Sequence, residues 1–159
     1  MKTSTIIATI NGMLGEIGSA LGLNLGLRSD GLCVVKQDQS DFEYIIELSH
    51  SGELLYIYSP VGDLPVENKS DALEYLLKLN LYGIETNQCS LGLDAKTNKL
   101  VLSYSIPVEI LNTSLLSNIL YNFFSAVPKI SKKIESFVQS APQQSPTQPD
   151  KLPQLLTMV

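Results

Sequence analysis

The chain has 159 residues, 44% of them hydrophobic, with 11 basic residues against 16 acidic ones and a formal net charge of −5. That length suits one domain with a sizeable core, and the acidic balance argues against nucleic acid, whose phosphate backbone needs clustered cations. No apolar run approaches the roughly 18 residues of a membrane span, so no membrane insertion is expected.

From Ser4 to Leu21 the residues Ile6, Ile7, Ile10, Met13, Leu14, Ile17 and Leu21 share one stripe at helical spacing. They predict a first amphipathic helix with Ser4 as its N-cap. Asn11, Gly12 and Glu16 interrupt any continuous apolar stretch of the kind a secretory leader needs, so the expected location is the cytoplasm. The other side of this helix holds Ala8, Asn11, Gly12, Gly15, Gly18 and Ser19. A helical glycine costs about 1 kcal/mol relative to alanine. Close approach by another chain and a frayed polar surface are both consistent with this pattern.

Three strands are predicted over residues 32–37, 42–48 and 53–59, where β-branched and aromatic residues run between polar turns. A hairpin around His50 and Ser51 would set Leu48 opposite Glu53, Ile46 opposite Leu55 and Tyr44 opposite Ile57. Alternation then gives one face Phe42, Tyr44, Ile46, Leu48, Leu55 and Ile57, a natural core. The other face is mixed. It combines Glu43 and Glu47 with Ile45, Leu54, Tyr56 and Tyr58, apolar in the middle with acids around it, and would suit the underside of another helix in the same subunit. Pro60, Gly62 and Pro65 predict an irregular segment next.

The second helix, in "ALEYLLKLNLYG", is capped by Ser70 or Asp71 and stopped by Gly83. It is apolar round most of its circumference. Leu73, Leu76, Leu77 and Leu81 point one way, Tyr75, Leu79 and Tyr82 carry the apolar arc onward, and only Glu74 and Lys78 mark a solvent side. One core needs a stripe only somewhat wider than about 100°, so two faces here seek partners.

A second hairpin follows in "SLGLDAKTNKLVLSYSIP", its turn over Ala95 to Asn98 pairing Asp94 with Lys99. This places Cys89, Leu91, Leu93, Leu100, Leu102 and Tyr104 on one face and Ser90, Gly92 and Ser103 on the other. Asn112 opens a long last helix through Leu115, Leu116, Ile119, Leu120, Phe123 and Phe124. Pro128 is expected to kink or interrupt it before a further turn with Ile130, Ile134, Phe137 and Val138. Residues 1–139 thus make one folded domain, and 140–159 a disordered tail rich in proline and glutamine. The fold class is α+β, with helices packed on one antiparallel sheet.

Reactive groups are sparse. The single histidine, His50, lies in a predicted turn between serines, and Glu43 and Glu47 are two carboxylates on an exposed strand with nothing to separate their acidities. Cys33 and Cys89 read as small buried hydrophobes with reduced thiols rather than as a disulfide or metal pair. No phosphate-binding loop is present. No catalytic, cofactor or metal residue is assigned, and the chain is expected not to be an enzyme. Lys129, Lys132 and Lys133, the one basic cluster, read as a solvated face.

Four strings in this order, "LYIYSPVGDLP", "ALEYLLKLNLYG", "SLGLDAKTNKLVLSYSIP" and "LLSNILYNFF", carry a family likeness over about residues 4–138. The sequence resembles the class I chaperones of bacterial type III secretion systems, the Tir chaperone or CesT-like family. The resemblance implies a cytoplasmic homodimer of α-β-β-β-α-β-β-α subunits with a twisted sheet. Such a dimer binds an extended segment near the N-terminus of a type III secreted effector without ATP hydrolysis, and the secretion ATPase or export apparatus is a further candidate partner. The family's second helix lies at the dimer interface. Tyr75, Leu79 and Tyr82 would then meet their symmetry mates while Leu73, Leu76 and Leu77 pack inward, and Ile45, Leu54, Tyr56 and Tyr58 would meet the effector. The alternative is a dimeric adaptor or regulator of similar fold with no secretion client. The proline- and glutamine-rich tail and Pro128 depart from the family pattern.

Overall fold

The computed structural model describes residues 3–36 and 41–140. In chain order these form α1 (Thr3–Leu21), β1 (Leu32–Lys36), β2 (Glu43–Leu48), β3 (Leu54–Asp63), α2 (Lys69–Asn80), β4 (Ser90–Asp94), β5 (Lys99–Pro107) and α3 (Thr113–Ser140), with short 3-10 turns at Leu81–Gly83 and Val108–Ile110. The predicted order of elements is the observed one. The tail expected over 140–159 lies outside the described residues apart from Ser140, which closes α3.

All five strands form one antiparallel sheet in the order β1-β2-β3-β5-β4. One face is apolar apart from the fully buried Ser59 of β3. Tyr44, Ile46 and Leu48 on β2, Leu55 and Ile57 on β3, and Leu100, Leu102 and Ile106 on β5 are buried there with the stripes of α1 and α3. Tyr44 sits edge-on to Phe123, ring centroids 6.4 Å apart, and tilted against Phe124 at 4.6 Å. These contacts fix α3 across the middle of the sheet.

The first hairpin differs from expectation by two residues. Leu48 pairs with Leu55 and Ile46 with Ile57, because the turn is longer, closed by Gly52 N–H on the Ser49 carbonyl and Leu54 N–H on Ser49 Oγ. A slip of two leaves every side chain on its predicted face; a slip of one would have inverted them. Gly52 has φ +74°, and a Cβ there would lie 2.8 Å from Ile6 Cδ1, so the turn can pass tightly over α1. The second hairpin keeps its predicted register, Asp94 opposite Lys99 and Leu93 opposite Leu100.

The stretch predicted irregular after Tyr58 is instead the end of β3, which runs to Asp63 beside β5 with a bulge between Pro60 and Gly62. The pairing of β2 with β3 ends at Tyr58, so Pro60 sits at a local edge, where its missing N–H breaks no ladder. Lys99 Nζ closes this end, 2.8 Å from Asp63.

Three helix details also depart from the sequence reading. Ser4 lies inside α1 rather than at its cap. At α2 the cap position is Asn68, in a left-handed conformation with φ 55°, two residues before Ser70 and three before Asp71. Pro128 lies within one continuous 28-residue α3. It faces solvent, while Ala126, Val127, Ile130 and Ile134 are buried on both sides of it, so packing holds the helix together where one backbone bond is missing. Asn112 does open α3, its Oδ1 accepting the Leu115 N–H at 2.9 Å.

Candidate protein-binding surfaces

The helices α1 and α3 contribute to the core on one face of the sheet, and the opposite face is half exposed. Across it runs a row of paired residues, Val34 beside Ile45, Ile45 beside Tyr58, and Tyr58 beside Ser103. The next row sets Glu47 beside Tyr56. Ile45, Leu54, Tyr56 and Tyr58 are all half-buried on this face, and Val34, which the sequence reading did not single out, is 42% exposed there. The pleat brings all five together. Val34 was legible from the alternation of the first predicted strand.

Polar chemistry on this face is self-satisfied. Tyr58 Oη donates to Glu47 Oε2 at 2.7 Å, and burial together with the Glu47 carboxylate pushes the phenol up to about 12. Glu43 lies 3.9 Å from Lys36. The patch therefore offers rings and aliphatic side chains with one fixed carboxylate, suited to an apolar segment with a few polar groups.

The second surface is on α2. Its buried stripe is Ala72, Leu76 and Leu79, and Tyr75 stacks on Phe137 of α3 with ring centroids 4.5 Å apart and planes 7° from parallel. Leu79, expected outward, is 6% exposed, and Leu77, expected inward, is 71% exposed. The helix is turned about 90° from the predicted orientation, because small Ala72 takes the place in the core that a leucine count would give to Leu73. Two apolar faces do exist. The outward one carries Leu73, Leu77, Leu81, Tyr82 and Ile84 along α2 and the turn after it, with Tyr82 80% exposed.

Between these surfaces, an asparagine closes one sheet edge. Asn80 donates from Nδ2 to the Leu91 carbonyl at 2.8 Å and accepts the Leu91 N–H at Oδ1 at 2.7 Å. Its carboxamide thus takes the place of a neighbouring strand's peptide group at Leu91 of β4. Asn11 does the same for Leu27 in the segment after α1, at 2.9 and 2.6 Å. Gly18 serves that segment too, since a Cβ there would come within 2.5 Å of the Leu23 carbonyl oxygen. The close approach behind this glycine is made by the chain itself. Nothing lies within 4 Å of a Cβ built at Gly12 or Gly15.

His50 is exposed in the β2–β3 turn. Cys33 and Cys89 are free and buried, and burial pushes the Cys89 thiol up to about 11. Among the described residues no group of three or more histidine, cysteine or acidic side chains is placed to hold a metal, and no helix is long and apolar enough to cross a membrane.

The family model of the Tir chaperone protein (CesT) family matches residues 12–131. A comparison with curated proteins finds no match. Among solved structures, the chain superposes on one from the ExsC–ExsE complex with a TM-score of 0.62 at 20% identity, covering 87% of this chain and 98% of that one. It also superposes on a chain from the HopA1–SchA chaperone–effector complex with a TM-score of 0.61 at 18% identity, covering 80% and 94%. A third likeness is to the heterodimeric ExoU–SpcU complex from the type III secretion system of Pseudomonas aeruginosa, with a TM-score of 0.57 at 16% identity over 79% and 93%. At these identities the likeness is one of fold.

Proposed function

Because the chain belongs to the Tir chaperone protein (CesT) family, we propose that it binds an extended segment near the N-terminus of a type III secreted effector. It holds that segment non-globular and competent for export, in the cytoplasm, by binding alone and with neither catalysis nor ATP hydrolysis. The observation that carries this reading is the open sheet face, where Val34, Ile45, Leu54, Tyr56 and Tyr58 remain partly exposed beside a fully covered core face. An extended client also fits the edges. With Leu91 of β4 taken up by Asn80, β1 is the edge on which a client strand adds, its side chains alternating onto the open face.

The functional unit in this proposal is a homodimer. Leu73, Leu77, Leu81 and Tyr82 meet their symmetry mates, an isologous contact that buries the same patch twice. Tyr82 keeps the interface role expected from the sequence, and Leu77 takes the place of Leu79. Tyr75 packs against α3 behind the interface.

The test is purification of the tagged full-length chain from a bacterium that carries a type III system, with the mass of the complex measured by light scattering. A dimer carrying one dominant protein through its N-terminal segment, and losing it when Ile45→Asp is introduced, is the expected result. A dimer that carries no such protein, or carries it equally well with Ile45→Asp, would overturn the client assignment.

A further inference from the structure

Where α2 meets the last turns of α3 there is an open groove of about 570 Å³, lined by Tyr75, Lys129, Lys132, Lys133, Ser136 and Phe137 among others. The stacked rings of Tyr75 and Phe137 give it an apolar wall. Lys129, Lys132, Lys133 and Ser136 follow one another at i, i+3, i+4 and i+7, so they line the same side of the helix. Lys133 is held by Glu85. Lys129 and Lys132 are exposed and, among the described residues, have no ion pair, as is also true of Lys69 and Lys96, whereas Arg28, Lys36, Lys78 and Lys99 each have one. At Lys129 and Lys132 two such cations, one helical turn apart, stand next to an aromatic wall.

We propose that this groove is a second docking surface, for an acidic peptide segment of another protein that places an aromatic or aliphatic side chain against Tyr75 and Phe137 and carboxylates against Lys129 and Lys132. Charge complementarity selects the occupant: Lys129 and Lys132 stand beside the apolar wall of Tyr75 and Phe137 without an acidic partner of their own among the described residues, in a chain whose net charge is −5. The methylene stems of lysines beside such a wall add apolar area while their ammonium groups stay in water. Because the groove lies among the helices and the open sheet face lies beyond the strands, both can be occupied at once. The groove thus fits a protein that meets the chain while a first partner is already bound. The inference stands on the groove alone and does not depend on what the open face binds.

The experiment is fluorescence anisotropy of the full-length protein with a labelled synthetic peptide alternating glutamate with phenylalanine and leucine. A peptide with glutamine in place of glutamate and a labelled single-stranded oligonucleotide serve as comparisons. Binding of the acidic peptide is expected to weaken about tenfold in Lys129→Gln/Lys132→Gln, the upper range for two exposed charge pairs, and to fall with added salt. These lysines are exposed, so the thermal midpoint should stay within a degree or two of the parent's. Ile45→Asp should leave the peptide's affinity unchanged. Equal binding by the glutamine peptide, tighter binding of the oligonucleotide, or loss of binding in Ile45→Asp but not in the lysine variant would each overturn the proposal. So would an acidic peptide that binds only when Leu155→Ser/Leu156→Ser is introduced in the full chain, for then the groove belongs to the chain's own last residues.

Discussion

Replacing Leu77 by alanine tests the proposed dimer at its most informative position. Burying a whole leucine side chain contributes about 1.5–3 kcal/mol, and Leu77 is 71% exposed in the protomer, so roughly 1–2 kcal/mol per copy depends on its being covered by a partner. Symmetry counts the residue twice, which brings the loss to about 2–4 kcal/mol per dimer and raises the dissociation constant between roughly 30-fold and 1,000-fold. Sedimentation equilibrium over a wide concentration range reads this directly. Leu79→Ala is the matched comparison. With Leu79 only 6% exposed, its truncation leaves a cavity and should lower protomer stability by about 2–5 kcal/mol, visible as an earlier denaturant midpoint with the dimer contact itself intact. A wild-type protein that is monomeric at micromolar concentration would refute the reasoning. So would a Leu77→Ala dimer as tight as the parent.

Three further outcomes follow from particular contacts. Gly18→Ala should destabilise the protein by about 1–3 kcal/mol, since the new Cβ would meet the Leu23 carbonyl at 2.5 Å, while Gly15→Ala, with nothing within 4 Å, should stabilise α1 by about 0.5–1 kcal/mol; thermal melts of the two give opposite signs. Asn80→Ala removes both hydrogen bonds to Leu91 and should cost about 1–3 kcal/mol, with faster hydrogen exchange at the Leu91 amide than at the amides of β3. The Tyr58 phenol is raised from about 10 to about 12. The folded state therefore holds this proton more tightly than the unfolded chain, so the associated stability is complete below pH 10 and is lost as pH rises through about 12. Ultraviolet titration should show a late tyrosine component that shrinks by one phenol in Tyr58→Phe.

Much of this architecture was legible because burial on a sheet is a period-two signal that tolerates even errors. The β2–β3 turn was placed too short by two residues, yet Ile45, Leu54, Tyr56 and Tyr58 still fell on their correct face. The helix α2 was harder to read, because leucines outnumber the places in its buried stripe. Its orientation was encoded in the charged pair instead. Glu74 and Lys78, joined across one helical turn at 2.6 Å, point away from Leu76, and Ala72 and Leu79 lie together to one side of that direction. Weighting the polar pair above the leucine count would have centred the expected face on Leu76, nearer to the buried one. Pro60 and Pro128 misled for a shared reason: each occupies a spot where the missing N–H has no partner to lose or where packing outweighs the loss, and that spot is set by the neighbouring strand or the core. The acidic-segment groove needed tertiary structure, since Tyr75 and Phe137 lie far apart in sequence and meet only through α2–α3 packing. Lys129, Lys132 and Lys133 alone gave no sign of an aromatic wall.

The position of α3 in the chain has a consequence for biosynthesis. When Pro107 has been made, all five strands exist, but the helix that seals them does not. Tyr44, Ile46, Leu55, Ile57, Leu100 and Leu102, each at most 2% exposed in the finished protein, then have only α1 to cover them, and the part of the apolar face that α3 takes stays open. Translation at about 5–20 residues per second leaves that part uncovered for seconds while the 28 residues of α3 are added. A message truncated before Thr113 would therefore yield a sticky, aggregating fragment rather than a weaker version of the protein. Every molecule passes through this interval as a nascent chain in need of shelter, in the same condition as the unfolded partner it is proposed to protect.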